Sequence, residues 1–265
     1  MSISNTLNTQ SSNNESLLID VESLHVNLLY DYGFNDNWML RVQLPYISYS
    51  GGFLDSAIDA YHQALGLPES SRPNFPNDQI NINVSLNNQA VALVNSAQKA
   101  LGDVSIQVAW QAQHSENIAL SYWTSLKLPT GNEDKLTGSG GTDIASWAAM
   151  DYRLSDTRWL YGQGGVLYMG DSKILQNIQI NWAAFATAGI KFQPWNSIQL
   201  KAQFDFHSAL YDSELTFFDH VIQITFGGSY IANKKHSVDF SIAEDIKSAS
   251  SPDVTFNMSW IVNLF

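Results

Sequence analysis

Six histidines are the side chains here best able to move protons near neutral pH, and one of them, His207, is followed at once by Ser208. A serine nucleophile needs its base within hydrogen-bond reach. On a strand that means a spacing of two, because adjacent side chains point to opposite faces. Ser208 therefore points away from His207, and none of His25, His62, His114, His220 and His236 is followed by a serine at the second position. Charge-relay hydrolysis of membrane lipid is disfavoured, and no enzymatic activity is expected. The histidines are scattered without metal-ligand spacing. There is no cysteine, hence no disulfide, thiolate ligand or thiol nucleophile. No metal or cofactor is expected.

What remains is the chemistry of charges in water. In SIQLKAQFDFH, Gln199, Lys201, Gln203, Asp205 and His207 share one strand face, and Ile198, Leu200, Ala202, Phe204 and Phe206 share the other. The polar row needs water beside it. The same alternation runs through DVSIQVAWQA, IALSYWTSLKL, WMLRVQLPY, HSVDFSIA and VTFNMSWIVNL. The pattern predicts twelve strands, near 1–11, 17–33, 38–50, 103–114, 117–128, 143–155, 158–170, 178–192, 198–209, 218–231, 235–246 and 253–265.

The connections sort by parity. Every second one is tight (FNDN, HSEN, SDT, QPWNS, ANKK), and the intervening ones are longer, including 51–102 and 129–142. Short periplasmic turns and long extracellular loops are the pattern of outer-membrane barrels. A soluble sandwich or lipocalin-like barrel would also alternate, but with strands of about 5–6 residues, whereas a tilted membrane strand needs about 9–11. Tyr30, Tyr32, Trp38, Tyr46, Tyr152, Trp159, Tyr168, Trp195 and Tyr230 fall near strand ends, where interfacial aromatic girdles belong. The expected fold is all-β: one transmembrane, antiparallel, up-and-down barrel of about twelve strands over 1–265, with a long extracellular loop holding a short helix.

Composition agrees. Of the 265 residues, 45% are hydrophobic and only 14% charged, against roughly 25% charged in ordinary soluble chains. The net charge of -12 makes phosphate-driven nucleic-acid binding unexpected. No run approaches the roughly 18 apolar residues of a membrane helix. The opening MSISNTLNTQSSNNES has neither the basic segment nor the apolar core of a leader, so export implies a leader already removed.

Three stretches carry a family resemblance. YSGGFLDSAIDAYHQALGLPESSRPNFP, LKLPTGNEDKLTGSGGTD and AEDIKSASSPDVTFNMSW together resemble the uncharacterised bacterial family called domain of unknown function 3187, over most of the chain. The pair LPTG and GSGGTD is also similar to other outer-membrane barrel families, one of them labelled a phenol-degradation pathway protein. The resemblance implies an outer-membrane barrel of Gram-negative bacteria and assigns no functional residue.

The site residues must then come from the pattern. His25, Asp31, Arg41, Gln43, Lys127, Asp151, Arg153, Lys191, Lys201, Asp205, His207 and Asp239 are the candidates for a polar lumen. In the 51–102 insert, FLDSAIDAYHQALG places apolar residues along one face of a helix near 53–65, a cap packed on the barrel rim or a lid over the pore mouth, and Phe53, Leu54, Ile58, Tyr61 and Leu65 are the lid candidates. A hairpin is expected behind it, INVSL with QAVALV. The Gly-rich loop after Pro129 reads as a tight structured loop; it lacks the Gly-Lys-Ser/Thr ending of a phosphate cradle. Trp260 and a terminal Phe265 resemble the signal read by the barrel-assembly machinery. That machinery, outer-membrane lipids and lipopolysaccharide, and a small-molecule cargo are the expected partners. The functional expectation is a narrow passive channel or transporter with a weak preference for cations. The alternatives are a plugged structural or surface-interaction barrel and a lipid-modifying enzyme.

Overall fold

The computed structural model describes residues 1–56, 60, 75–246 and 254–264. Among them fifteen strands form one antiparallel sheet: β1 Ser2–Ser11, β2 Glu15–Gly33, β3 Trp38–Ser50, β4 Asn81–Leu86, β5 Gln89–Val94, β6 Gln98–Leu101, β7 Ser105–His114, β8 Ile118–Lys127, β9 Asp143–Ser155, β10 Arg158–Met169, β11 Trp182–Trp195, β12 Ile198–His207, β13 Val221–Ile231, β14 His236–Asp245 and β15 Val254–Val262. Twelve of these close a ring that runs from β1 through β2, β3 and β7 to β15 and back to β1. Closure gives most ladder groups of the wall their partners within the sheet, a requirement that lipid imposes on any spanning structure. No described helix is long and apolar enough to cross a membrane.

The alternation is now visible as two surfaces. Leu28, Phe204, Phe226, Phe240 and Trp260 stand exposed on the outer side, where lipid replaces water. The polar rows face inward. Tight turns gather at one end of the ring and the longer connections at the other. One connection breaks the parity: β1 and β2 meet through a short turn at the long-loop end.

The exception has a cause in β2, which is nineteen residues long. On its inward face Leu17, Ile19 and Val21 are followed by Ser23, His25, Asn27, Leu29 and Asp31, a mainly polar row; on its outward face Leu18, Asp20 and Glu22 are followed by Leu24, Val26, Leu28 and Tyr30. The apolar side changes at the level of Glu22 to Leu24. Below that level β2 has lipid outside and lumen inside; above it, the strand has left the wall and turns its apolar side inward. β1 leaves the wall with it. Only Ser2–Asn5 pair with β15, while all of β1 pairs with β2. The expectation that residues 1–11 form a full spanning strand is thus corrected: alternation alone does not reveal at what height a strand sits. Below Ser2, the lower parts of β2 and β15 are not paired with each other.

The overshooting pair carries a small sheet. β4 pairs with Glu15–Asp20 of β2, and β5 pairs with β4 through an Asn87–Asn88 turn in which both residues have positive φ, 51° and 61°. That is the torsion pattern of a two-residue hairpin turn, which asparagine tolerates. The expected hairpin is therefore present. The expected helix near 53–65 falls mostly outside the described residues. Further on, β11 starts at Trp182 rather than near 178, because Gln176–Ile178 coil into a 3-10 turn.

The parity and the aromatic ends predict an orientation. A tag at Asn87–Asn88 or in the 129–142 loop should be reachable on intact cells, and one at 232–235 should not. Proteolysis at Asn233 with Asn88 protected would invert it.

Candidate functional site

The described residues place two features on the barrel axis, a polar lumen and a cap across its long-loop end. The cap is an apolar core of Leu17 from β2, Val84 and Leu86 from β4, Ala92 from β5, and Leu175, Leu215 and Phe218 from loops. Leu175 belongs to the β10–β11 loop, and Leu215 and Phe218 to the β12–β13 loop. β11 and β12 lie six and five positions round the ring from β2. The core therefore joins opposite walls over the mouth. Polar ties fasten it: Glu15 accepts from Ser213 Oγ at 2.5 Å and from the Glu214 N–H at 3.0 Å, and Gln10 accepts from Thr216 Oγ1 and the Phe217 N–H, both at 3.0 Å. On the exposed side, Lys173 donates to Glu133; this hydrogen bond, followed by one from the backbone, lowers the Glu133 pKa from its ordinary value, and the same bond, followed by the Glu133 charge, raises that of Lys173.

The lid candidates are placed as follows. Leu54 is buried with Val254 against Ile3, Ile242 and Phe256, which belong to the outward-facing rows of β1, β14 and β15. Phe53 is exposed, and Glu22 accepts from the N–H groups of Phe53 and Leu54, both at 3.1 Å. This stretch rests on the outer side of the rim. Ile58, Tyr61 and Leu65 lie outside the described residues, as does Phe265; Trp260 is exposed on the outer face.

Inside the lumen, cations are matched to carboxylates along the wall. Arg41 holds Asp31 with two hydrogen bonds of 2.7 Å, from directly opposite positions on β2 and β3. Lys127 lies between Asp143 at 2.5 Å and Asp103 at 3.2 Å. Asp103 also accepts from the N–H groups of Gly131 and Ser139, so the Gly-rich loop is ordered around this cluster. Lys191 and Lys201 stand opposite each other in the register but splay apart, Lys191 to Asp151 at 2.5 Å and Lys201 to Asp239 at 3.0 Å. Arg153 turns to Asp156 in the short-turn end, at 2.8 Å. Gln43 accepts from Gln107 and donates to Asn27 at 3.0 Å. Asp205 differs. It accepts from Thr187 Oγ1, Gln203 Nε2 and Thr225 Oγ1, all neutral, and it has no cation among the described residues.

Neither His207 nor His25 is hydrogen-bonded to the hydroxyl of its nearby serine among the described residues. His207 Nδ1 lies 2.9 Å from the Ser208 carbonyl. His25 shares its strand face with Ser23, two residues earlier, but the Ser23 hydroxyl bonds that of Ser4 at 2.8 Å. No group of three or more His, Asp or Glu capable of holding a metal occurs among the described residues.

An aromatic belt was missed in the sequence reading. Arg41 lies over the Trp123 ring at 5.0 Å, Trp123 stacks on Trp147 at 5.6 Å and 9°, and Phe185 meets Trp147 edge-on at 6.1 Å. These rings occupy the polar face of β8, β9 and β11. Bulky aromatics among Ser121, Ser125 and Lys127, or among Thr187 and Lys191, were the available signal. Glycine makes the meetings possible. Gly165 on β10 lies directly between Trp147 and Phe185, where a Cβ would stand 2.4 Å from that of Trp147. Gly189 likewise lets Tyr161 reach over β11 to donate to Gln203 at 2.8 Å.

The family model described as protein of unknown function (DUF3187) matches residues 2–262. The chain belongs to this family. No curated protein matches it in sequence. Among solved structures, this DUF3187 chain is similar to an outer membrane channel from Pseudomonas putida F1, with a TM-score of 0.64 and 12% identity, covering 98% of this chain and 92% of that one. It is also similar to the NanC porin, with a TM-score of 0.52 and 7% identity over 99% of each chain. At these identities the likeness is one of fold, a twelve-stranded outer-membrane barrel.

A side chain at position 189 should break the Tyr161–Gln203 bridge. A Cβ there would meet Tyr161 Cζ at 2.5 Å and the Ala202 carbonyl at 2.8 Å, so Gly189→Val should cost about 1–3 kcal/mol by overpacking. Urea unfolding in lipid vesicles measures it, and Tyr161→Ala should recover part of the loss.

Proposed function

We propose that the barrel is a passive outer-membrane channel for small solutes with a modest preference for cations. The observation that carries this reading is the charge pattern of the lumen: Arg41, Lys191 and Lys201 are each matched by one carboxylate and Lys127 by two, while Asp205 is held by neutral donors alone. Paired charges contribute little field at a distance, so the carboxylates in excess, Asp205 and one of the two at Lys127, set the sign. A low-dielectric wall focuses that field into the lumen. The likeness in fold to an outer membrane channel and a porin supports the same reading. Outer-membrane lipid and lipopolysaccharide would surround the exposed apolar face, and the barrel-assembly machinery would insert it.

The cap favours a second reading, a structural or surface-interaction barrel with its lumen closed, because the Leu17, Leu175 and Phe218 core joins opposite walls over the mouth.

Reversal potentials across a planar bilayer under a salt gradient test the channel reading. Cations should be preferred, and the preference should fade toward 1 M salt, where the Debye length is about 3 Å. Asp205→Asn should reduce the preference and Asp205→Lys should shift it further toward anions. Anion preference in the parent protein, or no response to either substitution, would refute the assignment.

A further inference from the structure

The lumen has two unlike walls at one depth. Trp123 and Trp147 stand on β8 and β9, six positions round the twelve-stranded ring from β14 and β15, which places them on the opposite wall. Trp123 and Ser241 each lie four residues from the long-loop end of their strands, Trp147 four and Asn257 three. The facing wall borders a cavity of about 400 Å³ whose lining includes Asp205, Ser241, Thr255, Asn257 and Ser259. That volume falls within the roughly 300–1,000 Å³ of small-molecule sites.

The chemistry of each wall is specific. The aromatic wall is apolar area whose faces are taken up by stacking, with Trp123 Nε1 already donating to Ser121 at 3.0 Å. It offers apolar ring edges and little polarity. On the other side Ser241 pairs in register with Asn257, and Asp239 with Ser259. Ser241, Asn257 and Ser259 line the same cavity as Asp205, which accepts only from the neutral Thr187, Gln203 and Thr225 and lacks a cation among the described residues. An anion would meet Asp205 and find the lysines already bound to carboxylates. A fully hydrated cation would leave the aromatic wall unused.

We propose that this part of the lumen is a binding site for small solutes with an aromatic ring at one end and a protonated amine at the other. The ring lies against Trp147 and Phe185, and the ammonium donates to Asp205 and the hydroxyl and amide groups of β14 and β15. The inference deepens the channel reading and rests on the same lumen, but it concerns binding and not flux.

The probes are 2-phenylethylammonium, phenylacetate and n-butylammonium, titrated into the purified, folded barrel with intrinsic tryptophan fluorescence and calorimetry as readouts. Phenylethylammonium should give a saturable signal, and the other two should bind about tenfold more weakly, the loss of one charge-assisted or one aromatic contact. Asp205→Asn should abolish the advantage over phenylacetate, and Trp147→Leu the advantage over butylammonium. Should Trp147→Leu fail to fold, the three-probe comparison on the parent protein decides alone. Equal binding of the three probes, or no saturable signal from phenylethylammonium, would overturn the site. A barrel that binds but passes no current would keep the site and remove the channel reading; one that conducts but shows no preference among the probes would do the opposite.

Discussion

Everything polar on the inner wall must find its partner on that wall or in the water beside it. The closed sheet fixes where each inward side chain starts, and lipid on the other side forbids it to turn round. The wall answers by pairing charges between neighbouring or next-neighbouring strands. Lys191 and Lys201 show the rule most clearly: facing each other in the register, they would repel, and each instead reaches sideways to a carboxylate two strands from its own, Asp151 and Asp239. Glycines at 165 and 189 clear the way for the same reach by aromatic groups. The result is a lumen whose charges lie along the wall, with Asp205 and one of the two carboxylates at Lys127 in excess.

The rim follows from the same physics with the solvents exchanged. Where β2 rises out of the wall its outward face no longer meets lipid, so Asp20 and Glu22 can stand there, and its inward face no longer meets the lumen, so Leu17, Ile19 and Val21 need apolar cover. The β4–β5 hairpin and the β8–β9, β10–β11 and β12–β13 loops provide it, each loop carrying a short 3-10 segment, Glu133–Lys135, Gln176–Ile178 and Thr216–Phe218. A change of apolar face within one strand thus marks a boundary between surroundings.

Most of the barrel was legible in the sequence because period-two alternation and loop parity are local. Strand number, the inward rows and the β4–β5 hairpin all follow from them. What was not legible depends on partners distant in sequence. The splay of two facing lysines depends on the strands beyond their neighbours, and the height of β1 depends on its register with β15, neither of which alternation records. On its helical period the stretch from Phe53 to Leu65 reads as a cap packed on the barrel rim or a lid over the mouth. The described part of that stretch lies on the outer rim, and the apolar core over the mouth comes from Leu17, the hairpin and three loops. The aromatic belt was written in plain view at Trp123 and Trp147, but a reading that sorts residues into apolar and polar faces has no place for an apolar residue on the polar side.

The account stands on a water-filled lumen closed at one end by a removable core. Single-channel conductance of the parent barrel and of a variant in which residues 80–95 are replaced by a short Gly-Ser linker tests it most directly, with refolding of both verified by gel mobility before and after heating. The account predicts a small or intermittent current in the parent and a larger, steady one in the variant, with cation preference kept. No current from either folded protein would show that the lumen itself is plugged and would contradict it.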